Sequence, residues 1–384
     1  AEHGIRDTNS GLVGSEMCIR DRFAPGILFG PKTEPLRRLV VHHTGWPPEW
    51  PLNNVLAYDI ARRIGCVVPE TKLVRLVINQ QDQGLYFLTT HLNQTQMASY
   101  FGHEDFSLYR SRSENAHESI KFYHHHIKAL AYTRSVDLSM AEVSARIDDD
   151  NLARHFLSFI FCGTTDHCQG VLVKDNRQTD SKAFMINWDM DHSFIDVARE
   201  VFKQKRHEHR LHFRQPGWSR FVKENENVYC AQQTLFTRLL NEVPEYRQQV
   251  LRLTMDLLNH RIDAEFLSER LNYYESLLRN SDFEYREHLR KLREFCAKRP
   301  DFIRSEMQTH FSLGASHLCR MQAPAGTALI VDGYLERDGY TGGYFASMPI
   351  RVELSANDQA RFSQRLVNGR AMADYPLTLT VDKP

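Results

Sequence analysis

Between Phe159 and Phe194 the chain reads FIFCGTTDHCQGVLVKD and then, after a short polar loop, FMINWDMDHSF. An apolar segment ends at Phe161, a tight Gly163-Thr164-Thr165 turn follows, and Asp166 stands just beyond it. Val171 to Val173 is strand-like, Asp175 to Lys182 is made of turn formers, and Phe184 to Ile186 leads into Asp189 and Asp191. Two short strands around a polar loop predict a hairpin, and this one brings Asp166 and the Asp189/Asp191 pair to the same end. Carboxylates at close quarters repel, so gathering them costs free energy unless a cation is shared. A Mg²⁺ site is the simplest reading. Taken singly, each acid also suits a turn or a helix cap, where Asp is favoured in any protein. The combination is more specific, because Trp188-Asp189-Met190-Asp191 sets two acids beside apolar residues at the end of a buried-looking strand.

The motif WDMDHSF, preceded by GTTDHCQG, resembles the paired motifs of the spore-coat protein H (CotH) kinase family. Further similarity lies in NVLAYDIARRIG (Asn54 to Gly65), in Pro69 with Leu73 to Asn79, and in Gly84-Leu85-Tyr86. It covers roughly Leu52 to Phe311 and continues more weakly to the end. The resemblance implies an α+β, atypical protein-kinase-like fold of two lobes, with a truncated small lobe, a helical large lobe carrying the active site and a small β-rich C-terminal appendage. It implies ATP and Mg²⁺ as cofactors and a protein Ser/Thr hydroxyl as acceptor. By the same resemblance Asp166 is the catalytic base, Gln169 and Asp189 hold Mg²⁺, and Asp191 is a supporting ligand. Gln169 departs from the commoner Asn but still presents a carbonyl oxygen. Thr90 departs from the Glu that often follows the Gly-x-Tyr strand.

A kinase-like small lobe supplies a basic residue and a covering loop to the nucleotide phosphates. No glycine-rich loop is visible, and Gly342-Gly343 reads as a distant β-turn. Family members carry the phosphate-binding base on upstream strands; here Arg37 and Arg38 are nearest, and Arg38 is the candidate nucleotide contact. Two rival functions remain open at this level. One is an inactive pseudokinase serving as a coat or surface binding protein; the other is a metal-dependent phosphoester hydrolase, which also uses clustered carboxylates.

The expected domains are residues 23–112 for the small lobe, 113–320 for the large lobe and 321–384 for the appendage. Residues 1–22 are set apart, because DTNSGLVGSEMCIRDR resembles translated sequencing-adapter read-through in metagenomic sets and not a folded segment. With 48 basic and 48 acidic residues, formal charge is zero, so no global field recommends nucleic acid or a membrane. No apolar run reaches the roughly 18 residues of a spanning helix. The seven cysteines are scattered, odd in number and without a C-x-x-C pair, which predicts neither a disulfide framework nor a zinc site. That leans toward a reducing compartment, whereas the family resemblance suggests a spore coat, cell surface or secreted protein.

Elsewhere the pattern is ordinary. Leu39 to Val41 predicts a strand, and the adjacent His42 and His43 point to opposite faces. Asn54 to Ile64 predicts a helix stopped by Gly65, and Leu73 to Asn79 with Leu85 to Thr89 predicts antiparallel strands around a turn at Gln80 to Gly84. His124-His125-His126, within a helix over Ser119 to Tyr132, fans out around the axis and cannot converge on one ion. His207, His209 and His212 stand in a basic run read as an exposed loop. Ile147 to Asn151 reads as a loop and cap before a helix over Leu152 to Phe161. Pro244 to His260, Glu265 to Arg279 and Tyr285 to Cys296 predict three amphipathic helices, and the last sixty residues predict short strands split by Gly, Asp and Asn turns.

Overall fold

The computed structural model describes residues 14–17, 39–43, 52–110, 116–132, 138–164, 166, 168–194, 218, 230–278, 283–322, 328–337, 339–346, 348–355, 366–367, 370–371 and 377–380. It is a mixed α+β structure that divides into two compact units, one of residues 1–247 and 264–303, the other of 248–263 and 304–384. No helix among the described residues is long and apolar enough to cross a membrane.

In the first unit β1 (Gly14–Met17), β2 (Leu39–His43), β3 (Thr71–Ile78) and β4 (Gln81–Thr90) form an antiparallel sheet in the order β1-β2-β4-β3. The first of these strands lies in the adapter-like segment and pairs its backbone with Leu39 to His42. The hairpin turn is shorter than the sequence pattern suggested. Asn79 and Gln80 both take positive φ, as a two-residue primed turn requires, and Gly84 falls inside β4, beyond a register shift at Leu76/Val77.

The helix Asn53–Ile64 is buried nearly all round, with only Arg62 and Arg63 exposed, and ends at Gly65 in the left-handed region. Its register also buries three polar side chains, Asn53, Asn54 and Tyr58, which face the candidate site. The expected site hairpin is present: β5 (Phe106–Arg110), β6 (Val171–Asp175) and β7 (Phe184–Ile186) form an antiparallel sheet in the order β5-β6-β7. Val171, Val173 and Ile186 join Leu92, Met97, Phe106 and Trp188 in one apolar cluster.

The helix that precedes Asp166 spans Asp149–Cys162. Asp148 caps it by accepting a hydrogen bond from the Asn151 amide, and Gly163 ends it at φ 62°. Its last carbonyls are met from far along the chain. Arg299, fully buried, donates Nε–H to the Phe161 carbonyl at 3.0 Å and a second N–H to that of Ile160. The guanidinium also lies between the rings of Phe295 and Phe302, 5.2 Å from each centroid. A cation at a helix C-terminus answers both the unpaired carbonyls and the helix dipole.

Four further helices span Ala231–Glu242, Pro244–His260, Ala264–Leu277 and Phe283–His310. The last runs well past the expected end at Cys296 and carries Pro300 in its interior. Proline there forfeits one backbone hydrogen bond, which burial of Arg299, Ile303 and Met307 along the same helix offsets.

The second unit is the β-rich end of the chain: β8 (Ser316–Met321), β9 (Ala328–Val331), β10 (Tyr334–Arg337), β11 (Tyr340–Phe345), β12 (Pro349–Leu354), β13 (Leu366–Val367), β14 (Arg370–Ala371) and β15 (Leu377–Thr380). They pair as a four-stranded sheet β10-β9-β12-β15 and two ribbons, β11-β8 and β13-β14. Gly342-Gly343, expected as a turn, is instead the middle of β11. The Asn259 side chain bonds both the N–H and the C=O of Gly343, and the missing side chain at Gly342 admits the Tyr340 ring. His260 is sandwiched between the rings of Tyr334 and Tyr340, at 4.6 and 4.8 Å, with Nδ1 2.6 Å from the Glu336 carboxylate.

Candidate active site

The site lies in the first unit, where the helix Asn53–Ile64, the end of the helix Asp149–Cys162 and the end of β7 converge. After Ile186 the chain leaves β7 and is held residue by residue. The Asn187 amide donates to the Val67 carbonyl at 2.9 Å. Asn187 Nδ2 donates to Ser158 Oγ at 2.7 Å, and its Oδ1 lies 2.9 Å from His155 Nδ1. Burial pushes the His155 imidazole down to about 4, so the ring is neutral and carries its proton on Nδ1, facing that oxygen.

The Asp189 and Met190 amides donate to Tyr58 Oη at 3.0 Å and Asn54 Oδ1 at 3.2 Å. Asn54 and Tyr58 are four residues apart, one turn along the same helix face. Asp189 takes φ 57° and Phe194 φ 61°, so both ends of this six-residue stretch hold a conformation that L side chains seldom adopt. Sites that must present a side chain in one fixed direction commonly store such strain. The far end is fixed by the Phe194 amide donating to the Cys162 carbonyl at 2.8 Å and by Thr164 Oγ1 meeting Ser193 Oγ at 2.8 Å.

Asp166, Asp189 and Asp191 lie within electrostatic reach of one another. Burial, reinforced by Asp191 and then Asp166, pushes the Asp189 carboxyl up to about 7, with only His192 among the neighbouring charges acting the other way. Burial and then Asp166 raise Asp191 to about 6, while the hydrogen bond between the two carboxyls favours the charged form of Asp191. Both carboxyls therefore bind protons more tightly than an exposed carboxylate does. Gln169 Nε2 donates to Asp166 Oδ2 at 3.3 Å, which links the remaining candidate to the same group.

Among the described residues no group of three or more His, Cys, Asp or Glu side chains is placed to hold a metal ion by itself. The donor set nevertheless fits a hard cation. Buried Asp191, half-buried Asp189 and a third acid nearby destabilise one another in the absence of positive charge. In addition, Asn53 donates Nδ2–H to the Asp191 carbonyl at 3.4 Å while its Oδ1 is buried without a hydrogen-bond partner.

Several residues around the site carried no sequence signal strong enough to single them out. Arg110, the last residue of β5, lays its guanidinium over the Trp188 ring at 4.8 Å and reaches His91 Nε2 at 3.2 Å. Its charge also acts weakly on Tyr58, against the effect of burial. Burial, with the Asp189 charge next, pushes the Tyr58 hydroxyl well up, and the phenol keeps its proton. The available cue was the spacing of Asn54 and Tyr58, four residues apart on one face of the helix.

Arg37, Arg38 and the basic run containing His207, His209 and His212 lie outside the described residues. Thr90 is turned inward: its amide donates to the Glu70 carbonyl, and its hydroxyl accepts from the Glu70 amide at 3.2 Å. His124 and His125 are exposed on a π-helical turn, and His126 Nδ1 bonds the Phe122 carbonyl instead of converging with them.

The expectation of unpaired cysteines is overturned by a disulfide between Cys168 and Cys230. Nothing in their 62-residue separation announces the pairing, which depends on the fold bringing the loop after Asp166 to the start of the helix Ala231–Glu242.

A family model described as "CotH kinase protein" matches residues 49–303. Among solved structures, one described as a Helicobacter pylori proinflammatory kinase, CtkA, aligns over 78% of this chain and 93% of its own, with 12% identity and a TM-score of 0.33. No curated protein matches the chain.

Proposed function

Because the chain belongs to the CotH kinase family, we propose that it transfers the γ-phosphoryl group of ATP to a Ser or Thr hydroxyl of a protein, on an atypical two-lobed protein-kinase-like scaffold. The observation that carries this reading is the convergence of Asp166, Asp189 and Asp191, where burial and neighbouring carboxylates push Asp189 and Asp191 above the ordinary carboxylate range. Asp189 and Asp191, with the Gln169 carbonyl oxygen, would hold Mg²⁺. A divalent ion bound there would neutralise charge on the phosphate oxygens.

The remaining work falls to the chain itself. Asp166 accepts the hydroxyl proton as the acceptor oxygen bonds to the γ-phosphorus, and the bond from that phosphorus to the β–γ bridging oxygen breaks to release ADP. Arg110 is a better candidate than Arg38 for the cation that meets the nucleotide phosphates, since its stacking holds a guanidinium against Trp188, the residue before Asp189 in the chain. Arg110→Ala is expected to raise KM for ATP by about tenfold, the loss of about one charge-assisted hydrogen bond, while kcat changes less. A steady-state titration of ATP at saturating acceptor measures this.

The direct test is radiolabel transfer from Mg²⁺-ATP to a generic acceptor such as casein, with calorimetric measurement of nucleotide binding. Label incorporation that falls by about 10²–10⁴-fold in Asp166→Ala, with nucleotide affinity retained, is the expected result. Failure of the wild-type protein to bind ATP overturns the reading. Binding without transfer to any acceptor would favour the pseudokinase alternative.

The acid pair also makes stability depend on pH. In the metal-free protein Asp189 and Asp191 bind protons more tightly when folded than when unfolded. Their contribution to folding is fully present below the ordinary carboxylate pKa of about 4 and is lost as pH rises through the raised values. Melting in a chelator is expected to show a higher Tm at about pH 5 than at about pH 7.5 from this pair, and added Mg²⁺ is expected to restore stability chiefly at the higher pH, where the ligands are ionised. A Mg²⁺ effect equal at both pH values would count against these two ligands.

A further inference from the structure

We propose that the Cys168–Cys230 disulfide is a positioning clamp for the loop that carries Asp166 and Gln169, so that phosphoryl transfer depends on the bond being closed. The inference rests on the reading of Asp166 as the base, but the clamp itself is a statement about the loop and can be tested without turnover.

Cys168 stands two residues after Asp166 and directly before Gln169, so the bond is attached between two candidate site residues. The attachment is doubled. Gln232 Nε2 donates to the Cys168 carbonyl at 2.8 Å, and the buried Tyr123 hydroxyl donates to Gln232 Oε1 at 2.5 Å. The Tyr123 ring in turn stacks on Tyr109 at 4.0 Å, one residue from Arg110. Cys230 is fully buried and immediately precedes the helix Ala231–Glu242. That helix is itself anchored, by Phe236 stacked on Phe156 at 4.7 Å and by Arg238 donating to the Leu130 carbonyl at 2.7 Å.

The two flanks of the loop have their own supports. On one side Arg299 and Gly163 close the preceding helix. On the other, Gly170 at φ 150° leads into β6, where a Cβ would collide with Met185 Cε. Opening the disulfide therefore leaves both flanks and the Gln232 hydrogen bond in place and removes the covalent hold on the segment between the flanks. Displacements on the order of 1 Å at a reacting group can cost about 10²-fold in rate.

The bond opens by exchange with a dithiol. The dithiol gives up two electrons and two protons and closes its own disulfide, while the Cys168–Cys230 bond breaks to two thiols. Buried Cys66 and Cys296, whose thiols burial pushes up to about 12, and buried Cys162, raised likewise, stay protonated and react slowly.

The experiment compares the full chain oxidised, treated with dithiothreitol, and as Cys230→Ser. Non-reducing peptide mapping, kcat and KM for Mg²⁺-ATP, and amide hydrogen exchange are measured on each. The map is expected to show the Cys168–Cys230 linkage. Both open forms are expected to lose about tenfold or more in kcat, with KM changed less than about threefold, and reoxidation of the reduced wild type is expected to restore kcat. Exchange is expected to rise by about tenfold or more across Thr164–Leu172, with the helices Asn53–Ile64 and Asp149–Cys162 unaffected.

Free thiols at both positions in oxidised protein, an unchanged kcat, or exchange rising throughout the first unit would each overturn the clamp. If no form binds ATP or transfers phosphate, the kinase reading fails separately, and exchange decides the clamp: a rise confined to Thr164–Leu172 supports it, no rise sinks it.

Discussion

Asp189→Ala is expected to abolish measurable Mg²⁺-dependent ATP binding and to lower phosphoryl transfer by about 10³-fold, equivalent to about 4 kcal/mol in the transition state. The residue is half-buried, is held at φ 57° by the Tyr58 and Asn54 bonds to its own and the following amide, and lies within electrostatic reach of Asp191 and Asp166. Alanine removes the ligand and also strains the backbone, since a left-handed residue without a short polar side chain costs about 1–2 kcal/mol. Asp189→Asn separates the two effects, because Asn tolerates that region. It is expected to lose transfer almost as completely. In the metal-free protein near neutral pH it should nevertheless melt at a higher temperature than the wild type, because a buried and repelled charge is gone. Equal ATP affinity in wild type and Asp189→Asn, measured by calorimetry with Mg²⁺, would remove Asp189 from the metal site.

The largest expected effect on stability is at Arg299. Arg299→Met keeps much of the apolar stem but leaves the Ile160 and Phe161 carbonyls buried without donors. Each unsatisfied group costs about 1–3 kcal/mol, and the helix dipole and two ring contacts add to the loss. A total of about 3–5 kcal/mol follows, which in a unit of this size lowers Tm by roughly 10 °C. Since the carbonyls end the helix that delivers Asp166, transfer should fall before global unfolding as temperature is raised. Parallel melts by circular dichroism and by residual activity measure both. A Tm within a degree or two of wild type would show that water or a neighbouring donor replaces the guanidinium.

What the sequence made legible is what short-range chemistry determines. The β6–β7 hairpin, the Asp148 cap and the Gly163 stop are written in adjacent residues, and they suffice to bring Asp166 to the same end as Asp189 and Asp191. The family likeness at WDMDHSF was legible for the same reason. The missed features act across the chain. Arg299 reaches carbonyls 138 and 139 positions away, Tyr58 supports an amide 131 residues on, and Cys168 finds Cys230 through a fold whose cysteine spacing carries no pattern. Gly342-Gly343 was misread because a glycine pair is a turn by local preference, whereas here the Tyr340 ring and the Asn259 amide select an extended strand.

The disulfide also changes the covalent topology of the chain. It closes a ring through Cys168 and Cys230, so a single peptide-bond cut anywhere from Gln169 to Tyr229 opens the ring without releasing a fragment. Such a nicked molecule keeps its intact mass, apart from one added water, until the sulfur bridge is reduced. Two bands on a reducing gel and one on a non-reducing gel would therefore report proteolysis inside this ring, and purity judged under non-reducing conditions alone would overlook it.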